Sequence, residues 1–68
     1  MLELEYVLVP FVQDCYASLN DDDKAAYREL LENEDWEIFD WLQGREQTPN
    51  EGIGRVVAQI NAYNDRPR

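Results

Sequence analysis

Helix-boundary signals divide this sequence into short segments, and they constrain the fold more strongly than any other feature of the chain. Asn20, a favourable N-cap residue, is followed by three aspartates, which would lie against the positive end of a helix dipole. Gly44 supplies a left-handed helix stop, and the Thr-Pro-Asn-Glu run at 48–51 has the form of a capping box with proline at the first helical position. These signals predict an all-α fold, a compact bundle of four helices joined by short loops.

Apolar residues recur at helical spacing inside two of these segments. After Asn20, residues Tyr27, Leu30 and Leu31 fall on one face, which predicts a helix that ends near Asn33. From Ile53, apolar residues follow at offsets of three, four, seven and ten, which predicts a second amphipathic helix. The residues predicted to form the core are Leu30, Leu31, Phe39, Leu42, Val56, Val57 and Ile60.

The segment between these two helices carries more apolar surface than one helix face can hold. Asp35 is predicted to cap the helix that this segment forms. The large apolar residues of the segment are Trp36, Ile38, Phe39, Trp41 and Leu42. Either both sides of this helix are buried, or one aromatic residue faces outward for a partner. We expect Trp41 in the core and Trp36 at the surface, as a candidate partner contact.

Residues 1–19 are ambiguous from their pattern alone. The first six alternate with period two, as a half-buried strand would, whereas a helical stripe from Leu4 onward fits equally well. Pro10 would remove a backbone donor and kink such a helix, unless a new helix opens there. Tyr6 and Tyr16 are expected at the rim of the core.

The length and charge of the chain limit the functions that it can perform. Sixty-eight residues fit a single helical domain, 1–68, with residues 65–68 as a frayed tail, and leave no room for a cleft between lobes. The net charge of −9 opposes binding to nucleic acid and to anionic membranes, because both rely on basic residues. The same charge is typical either of a surface that attracts a basic partner or of a merely solubilising surface.

Residue types that most enzymes and metal sites need are scarce in this sequence. The chain has no histidine and one cysteine, Cys15, which lies on the predicted apolar stripe, so neither a zinc site nor an activated thiol is expected. A calcium loop starting at Asp21 fails at its fifth and sixth positions, which are alanines. We therefore predict a protein that is not an enzyme, binds no cofactor or metal, and acts by binding another protein.

Cysteine usage and hydropathy predict the compartment. A single cysteine fits a reducing environment, since it cannot form an intramolecular disulfide. The N-terminal residues lack the pattern of a signal peptide, and no segment approaches the roughly 20 apolar residues of a membrane span. The sequence thus predicts a cytoplasmic protein with no membrane contact.

Several short blocks of the sequence together resemble one family, and they extend from Met1 to about Ile60. These blocks are Pro10-Phe11, Tyr16 with Leu19, the acidic turn at 20–23, Leu30-Leu31-Glu32, and the Ile-Phe-Asp-Trp-Leu run at 38–42. In this combination the chain resembles the bacterial succinate dehydrogenase assembly factors, also called flavinylation factors, some of which carry an antitoxin label.

This resemblance implies both a fold and a function. The family fold is a small helical bundle with one helix more than the four predicted here, which favours helix for residues 1–19. Family members bind the flavoprotein subunit of succinate dehydrogenase, or that of fumarate reductase, and promote covalent attachment of FAD to a histidine of that subunit. The alternative function is an antitoxin or another regulatory protein-binding module. When free, the chain is expected to be a monomer.

The hallmark of the family, Arg-Gly-x-x-Glu, is matched only at its end. Glu3 matches the glutamate, whereas the arginine and glycine would precede Met1, and the basic first helix of the family has no counterpart in this sequence. The chain is therefore expected to be either shortened at its N-terminus or a divergent member. The residues predicted to bind the partner are Glu3, Met1, Leu2, Tyr6 and Trp36.

Overall fold

A computed structural model describes residues 2–65, apart from the side chains at positions 2 and 3. The chain forms helix α1, a short 3-10 helix and three further α-helices, and no strand occurs within residues 2–65. The bounds are α1 Leu2–Cys15, the 3-10 helix Tyr16–Ser18, α2 Asp21–Leu31, α3 Asp35–Gln43 and α4 Glu51–Asp65. The predicted all-α bundle of four helices is confirmed.

Helix α1 runs without interruption through Pro10, so the first segment is a helix and not a strand. Pro10 has no N–H to donate to the carbonyl of Tyr6, so the helix lacks that hydrogen bond of its ladder. The side-chain amide of Asn64, on α4, donates to the adjacent carbonyl of Val7 at 3.3 Å. A polar side chain from another helix thus supports α1 beside its proline.

Both ends of α2 are capped by asparagine side chains. The Oδ1 atom of Asn20 accepts a hydrogen bond from the backbone N–H of Asp23 at 2.8 Å, which confirms the predicted N-cap. At the other end, the helix stops at Leu31, slightly earlier than predicted. The side-chain amide of Asn33 donates to the carbonyls of Glu29 and Leu30, at 3.0 and 3.3 Å, and so adds a hydrogen bond to two carbonyls that also accept from the backbone N–H groups of Glu32 and Asn33.

Two of the predicted N-caps are wrong by one or two residues. Helix α3 is preceded by Glu34 in the cap position, and Asp35 is already helical. Before α4, the cap is Asn50, whose Oδ1 accepts from the backbone N–H of Ile53 at 2.9 Å. Thr48, predicted to begin a capping box, instead donates its hydroxyl to the carbonyl of Asn50 at 3.3 Å. Asparagine at this position competes successfully because it is as good an N-cap as threonine or better.

The two C-terminal boundaries follow different rules. Gly44 ends α3 with φ of 76°, as predicted, and hydrogen bonds from Gly44 N to Trp41 O and from Arg45 N to Asp40 O complete a Schellman turn. Helix α4 continues through Asp65, a residue assigned from sequence to the frayed tail. The remainder of that tail lies outside the described residues.

Helix α4 is the centre of the bundle, since α1, α2 and α3 all pack against it. The core consists of Leu4, Leu8, Phe11, Ala26, Tyr27, Leu30, Ile38, Trp41, Ile53, Val56, Val57 and Ile60. Phe11 contacts the rings of Tyr27 and Tyr63, with centroids 6.1 and 6.0 Å away. Burial, together with the neighbouring Tyr16, raises the pKa of Tyr27 above its usual value, as expected for a phenol held in an apolar core.

Four apolar residues, Leu31, Tyr6, Phe39 and Leu42, differ from their predicted environment. Leu31, predicted in the core, is 50% exposed, because its neighbour Leu30 occupies the inward position of α2. Tyr6, predicted at the core rim, is 77% exposed. Phe39 and Leu42 are only partly buried and pack against the edge of the core, as do Cys15 and Tyr16.

A buried carboxylate joins α2 to α4. Asp23 is 8% exposed, and its two oxygens accept hydrogen bonds from Arg55 Nε at 3.2 Å and Gln59 Nε2 at 3.0 Å. From the sequence, Asp23 was predicted only to lie in the first turn of a helix, against the positive end of its dipole. Its burial escaped prediction because Arg55 lies 32 residues further along the chain.

Gly52 lies at a close contact between α4 and α2. A Cβ atom at this position would lie 3.3 Å from the Cβ of Ala26, which is closer than ordinary packing allows. Glycine weakens a helix by about 1 kcal/mol relative to alanine, and here it permits the close approach of two backbones. We call the contact formed by Asp23, Ala26, Gly52, Arg55 and Gln59 the α2–α4 seam.

Candidate partner-binding surfaces

The outer side of α1 presents two large apolar residues to solvent. Tyr6 is 77% exposed and Val9 is 47% exposed, and their spacing of three places them on the same side of the helix. We call this pair the α1 outer face. Among the predicted partner-binding residues, Met1 lies outside the described residues, as do the side chains of Leu2 and Glu3, so Tyr6 is the one whose environment on α1 is described.

A second candidate surface lies at the end of α3. A recess of about 310 Å³, which we call the α3 recess, is lined by Trp36, Glu37, Asp40, Trp41 and Glu46. Trp36 is 65% exposed and forms an open wall, whereas Trp41 is 8% exposed and forms part of the core beneath. The predicted division between the two tryptophans, one outward and one inward, is confirmed.

The Schellman turn explains how a loop residue comes to line this recess. Residues 36, 37, 40 and 41 lie within one and a half turns of α3, and the left-handed Gly44 then reverses the chain. The bond from Arg45 N to Asp40 O, 2.9 Å long, holds the reversed segment against the helix. This turn brings Glu46 beside Glu37 and Asp40, which lie earlier in the chain, on α3.

The α3 recess is acidic. Three of its five lining residues are carboxylates, and one of them, Asp40, contacts a cation: Arg45 Nη1 lies 3.7 Å from Asp40 Oδ1. That pair is loose and open to water, since its side chains are 65% and 27% exposed. Two indole rings and a net negative charge therefore face the same space.

The structure brings together some of the predicted site residues and separates others. Trp36 belongs to the α3 recess and Tyr6 to the α1 outer face, on two helices that each pack against α4. Glu37, Asp40 and Glu46 were not predicted as site residues. The sequence signal that could have identified them is the helix-ending Gly44 followed by Arg45 and Glu46. A left-handed glycine at a helix end folds the charged residues that follow it back against that helix.

The described part of the chain contains neither a membrane-spanning helix nor a cluster of metal ligands. No helix among residues 2–65 is long and apolar enough to cross a membrane. In the same range, no group of three or more cysteine, histidine, aspartate or glutamate side chains converges in a way that could hold a metal ion.

These observations define a small all-helical protein with two exposed aromatic surfaces, and sequence comparison places it in a family. A family described as "Flavinator of succinate dehydrogenase" matches residues 1–64. A relative from Shewanella oneidensis, named FAD assembly factor SdhE, is 43% identical over 60 residues, which cover 88% of this chain and 73% of that protein.

Other relatives with the same name agree with this assignment. The protein from Pseudomonas aeruginosa is 43% identical over 88% of this chain and 71% of its own length. That from Vibrio cholerae is 36% identical over 94% of this chain and 74% of its own length. No solved structure matches the chain significantly. The chain belongs to the succinate dehydrogenase flavinator family, as its resemblance to the flavinylation factors implied.

Proposed function

We propose that this chain binds the flavoprotein subunit of succinate dehydrogenase, or that of fumarate reductase, and promotes covalent attachment of FAD to it. The observation that carries the proposal is the family match over residues 1–64, together with relatives named FAD assembly factors. The bond-forming chemistry then belongs to the flavoprotein and its own FAD, and this chain acts as a cytoplasmic, non-catalytic helper.

The surface that best suits this role is the α1 outer face together with the residues that precede it. Tyr6 exposes a large aromatic ring, and such residues are common at the centres of protein interfaces. Glu3 lies three positions before Tyr6, one helical turn away. In this proposal Met1, Leu2, Glu3 and Tyr6 contact the flavoprotein.

The mechanism follows from binding alone. A helper that binds one arrangement of the flavoprotein more tightly than others raises the population of that arrangement. If the favoured arrangement holds FAD against its attachment site, the rate of covalent attachment rises although the helper contributes no reacting group. A net charge of −9 would also favour encounter with a basic surface on the flavoprotein.

The test is a flavinylation assay with purified apo-flavoprotein, FAD and this chain, read as flavin fluorescence that persists in the denatured flavoprotein. Tyr6→Ala and Glu3→Ala are each expected to lower the rate several-fold while leaving helicity unchanged. Leu31→Ala is the matched control, because Leu31 is also a large, exposed apolar residue but lies on α2. It is expected to retain the full rate.

Two results would contradict the proposal. One is a normal flavinylation rate for both Tyr6→Ala and Glu3→Ala, which would make these residues ordinary surface. The other is recovery from cell extract of a small toxin and no flavoprotein, which would favour the alternative role of a regulatory, antitoxin-like protein.

A further inference from the structure

We infer that the α3 recess receives an arginine side chain of the partner protein, as a second contact distinct from the α1 outer face. This inference rests on the proposed function for the identity of the partner, the flavoprotein subunit. It adds the chemistry of one contact: a guanidinium group lying between an indole ring and carboxylates.

The size and walls of the recess limit what can occupy it. Its volume of about 310 Å³ is at the lower end of the range of about 300–1,000 Å³ for small-molecule sites, so it suits a single long side chain. Trp36 leaves most of its indole ring open to solvent, and an indole face is the best aromatic partner for a cation. The aliphatic stem of a basic side chain would also cover this exposed apolar surface.

The charge of the recess selects a cation. Glu37, Asp40 and Glu46 line it, and the loose contact of Arg45 with Asp40 leaves two negative charges uncompensated among the lining residues. An anionic or purely apolar occupant would be repelled or would bury carboxylates without partners. Because no group of carboxylates among residues 2–65 converges as a metal site would, a bare divalent cation fits less well than an organic one.

Between the two basic side chains, arginine fits the arrangement better. Its guanidinium is planar, so it can stack on the Trp36 ring while its edge donates hydrogen bonds to a carboxylate such as Glu37 or Glu46. A lysine ammonium has no flat face and is more strongly hydrated. The occupant is therefore an arginine, in a segment of the flavoprotein.

The test uses the two indole N–H signals of the chain, because Trp36 and Trp41 are its two tryptophans and both line the recess. The 15N-labelled full chain is titrated with the peptide Gly-Arg-Gly, and in parallel with Gly-citrulline-Gly, which has the same shape without the charge. The arginine peptide is expected to shift both indole signals saturably, and the citrulline peptide to shift them little. Equal shifts with the two peptides, or no shift with either, would overturn the inference.

Charge variants then locate the binding. Replacing both Glu37 and Glu46 by glutamine is expected to weaken binding of the arginine peptide about three- to tenfold, the range for two exposed ion pairs. The control, Glu32→Gln with Asp65→Asn, removes the same charge at two exposed positions outside the recess and is expected to bind normally. Equal weakening in both double variants would mean that net charge alone attracts the peptide, and would overturn the assigned site.

Binding to the apo-flavoprotein separates this inference from the proposed function. If the Glu37 and Glu46 double variant binds the flavoprotein as tightly as the unmodified chain, while Tyr6→Ala binds weakly, the α3 recess is not a partner contact and the proposed function stands. If the unmodified chain does not bind the flavoprotein at all, the proposed function fails, and with it the identity of the partner. A dimer in sedimentation that the double variant dissociates would make the occupant a second copy of this chain, contrary to the inference.

Discussion

Asp23 and Asp40 each face an arginine, but the two pairs lie in different environments. In the α2–α4 seam, Asp23 is held by Arg55 at 3.2 Å and by Gln59 at 3.0 Å, and it is 8% exposed. In the α3 recess, Asp40 meets Arg45 at 3.7 Å and both side chains remain partly open to water. The same residue type therefore serves two purposes. Asp23, whose two oxygens both have partners within the chain, joins two helices, whereas Asp40, which has one loose partner, can still receive a group from another molecule.

The largest expected effect comes from removing each tryptophan in turn. Trp41→Ala is expected to lower the free energy of unfolding by about 3–5 kcal/mol, because it removes a buried aromatic residue from the core. Trp36→Ala, on the same helix, is expected to change it by about 0.5 kcal/mol or less, since that ring is largely exposed. Urea unfolding followed by far-ultraviolet circular dichroism measures both.

This pair of variants also tests the division between core and recess. A loss for Trp36→Ala as large as that for Trp41→Ala would mean that the outer wall of the α3 recess is structural. The contrast between the α2–α4 seam, which joins two helices, and the open α3 recess would then no longer hold.

A smaller effect distinguishes the two aspartates. Asp23→Asn is expected to lower the free energy of unfolding by about 1 kcal/mol, because it weakens a partly buried charge-assisted hydrogen bond and removes a charge from a helix N-terminus. Asp40→Asn removes the same charge from the exposed pair and is expected to cost about 0.5 kcal/mol or less. Urea midpoints at one ionic strength give both values, and equal losses would contradict the distinction between the two pairs.

The smallest expected effect concerns two glycines of α4. Gly54→Ala is expected to raise the stability by about 0.4–1 kcal/mol, because alanine is the better helix former and its Cβ, at 3.0 Å, would meet only the Thr48 hydroxyl, which can move at the cost of its long, 3.3 Å bond to the Asn50 carbonyl. Gly52→Ala is expected to gain nothing or to destabilise, since its Cβ would meet Ala26 of the facing helix. For a domain of this size, about 1 kcal/mol shifts Tm by about 4–8 °C, so thermal melting resolves the difference.

The opposite order of melting temperatures would locate the tight contact elsewhere. A Tm for Gly52→Ala above that of Gly54→Ala would mean that α2 can move at the α2–α4 seam and make room for the added Cβ atom. The α4–loop contact at Thr48 would then be the rigid one.

Much of the fold could be predicted from the sequence because helix signals are local. Asn20, Gly44 and the spacing of Val56, Val57 and Ile60 each act within a few residues, and all three predictions are confirmed. Thr48 was misassigned because Asn50, two residues later, is an equally suitable cap, and the local pattern does not decide between them.

What could not be predicted depends on contacts between distant parts of the chain. The burial of Asp23 requires Arg55 and Gln59, which only the folded bundle brings near. Adjacent apolar residues such as Leu30 and Leu31 satisfy the same helical stripe, and the direction of the packed neighbour decides which one is buried. The α3 recess likewise depends on the turn at Gly44, which returns Glu46 to the helix.

The central position of α4 has a consequence for biosynthesis. A ribosome makes the three outer helices before residues 51–65, against which all three pack. Isolated helices of 9–14 residues are marginal in water, so the emerging chain has little to hold it folded until α4 leaves the exit tunnel. Folding is therefore expected to wait until that segment has left the exit tunnel and then to occur in one step, and until then the nascent apolar stripes remain available to chaperones.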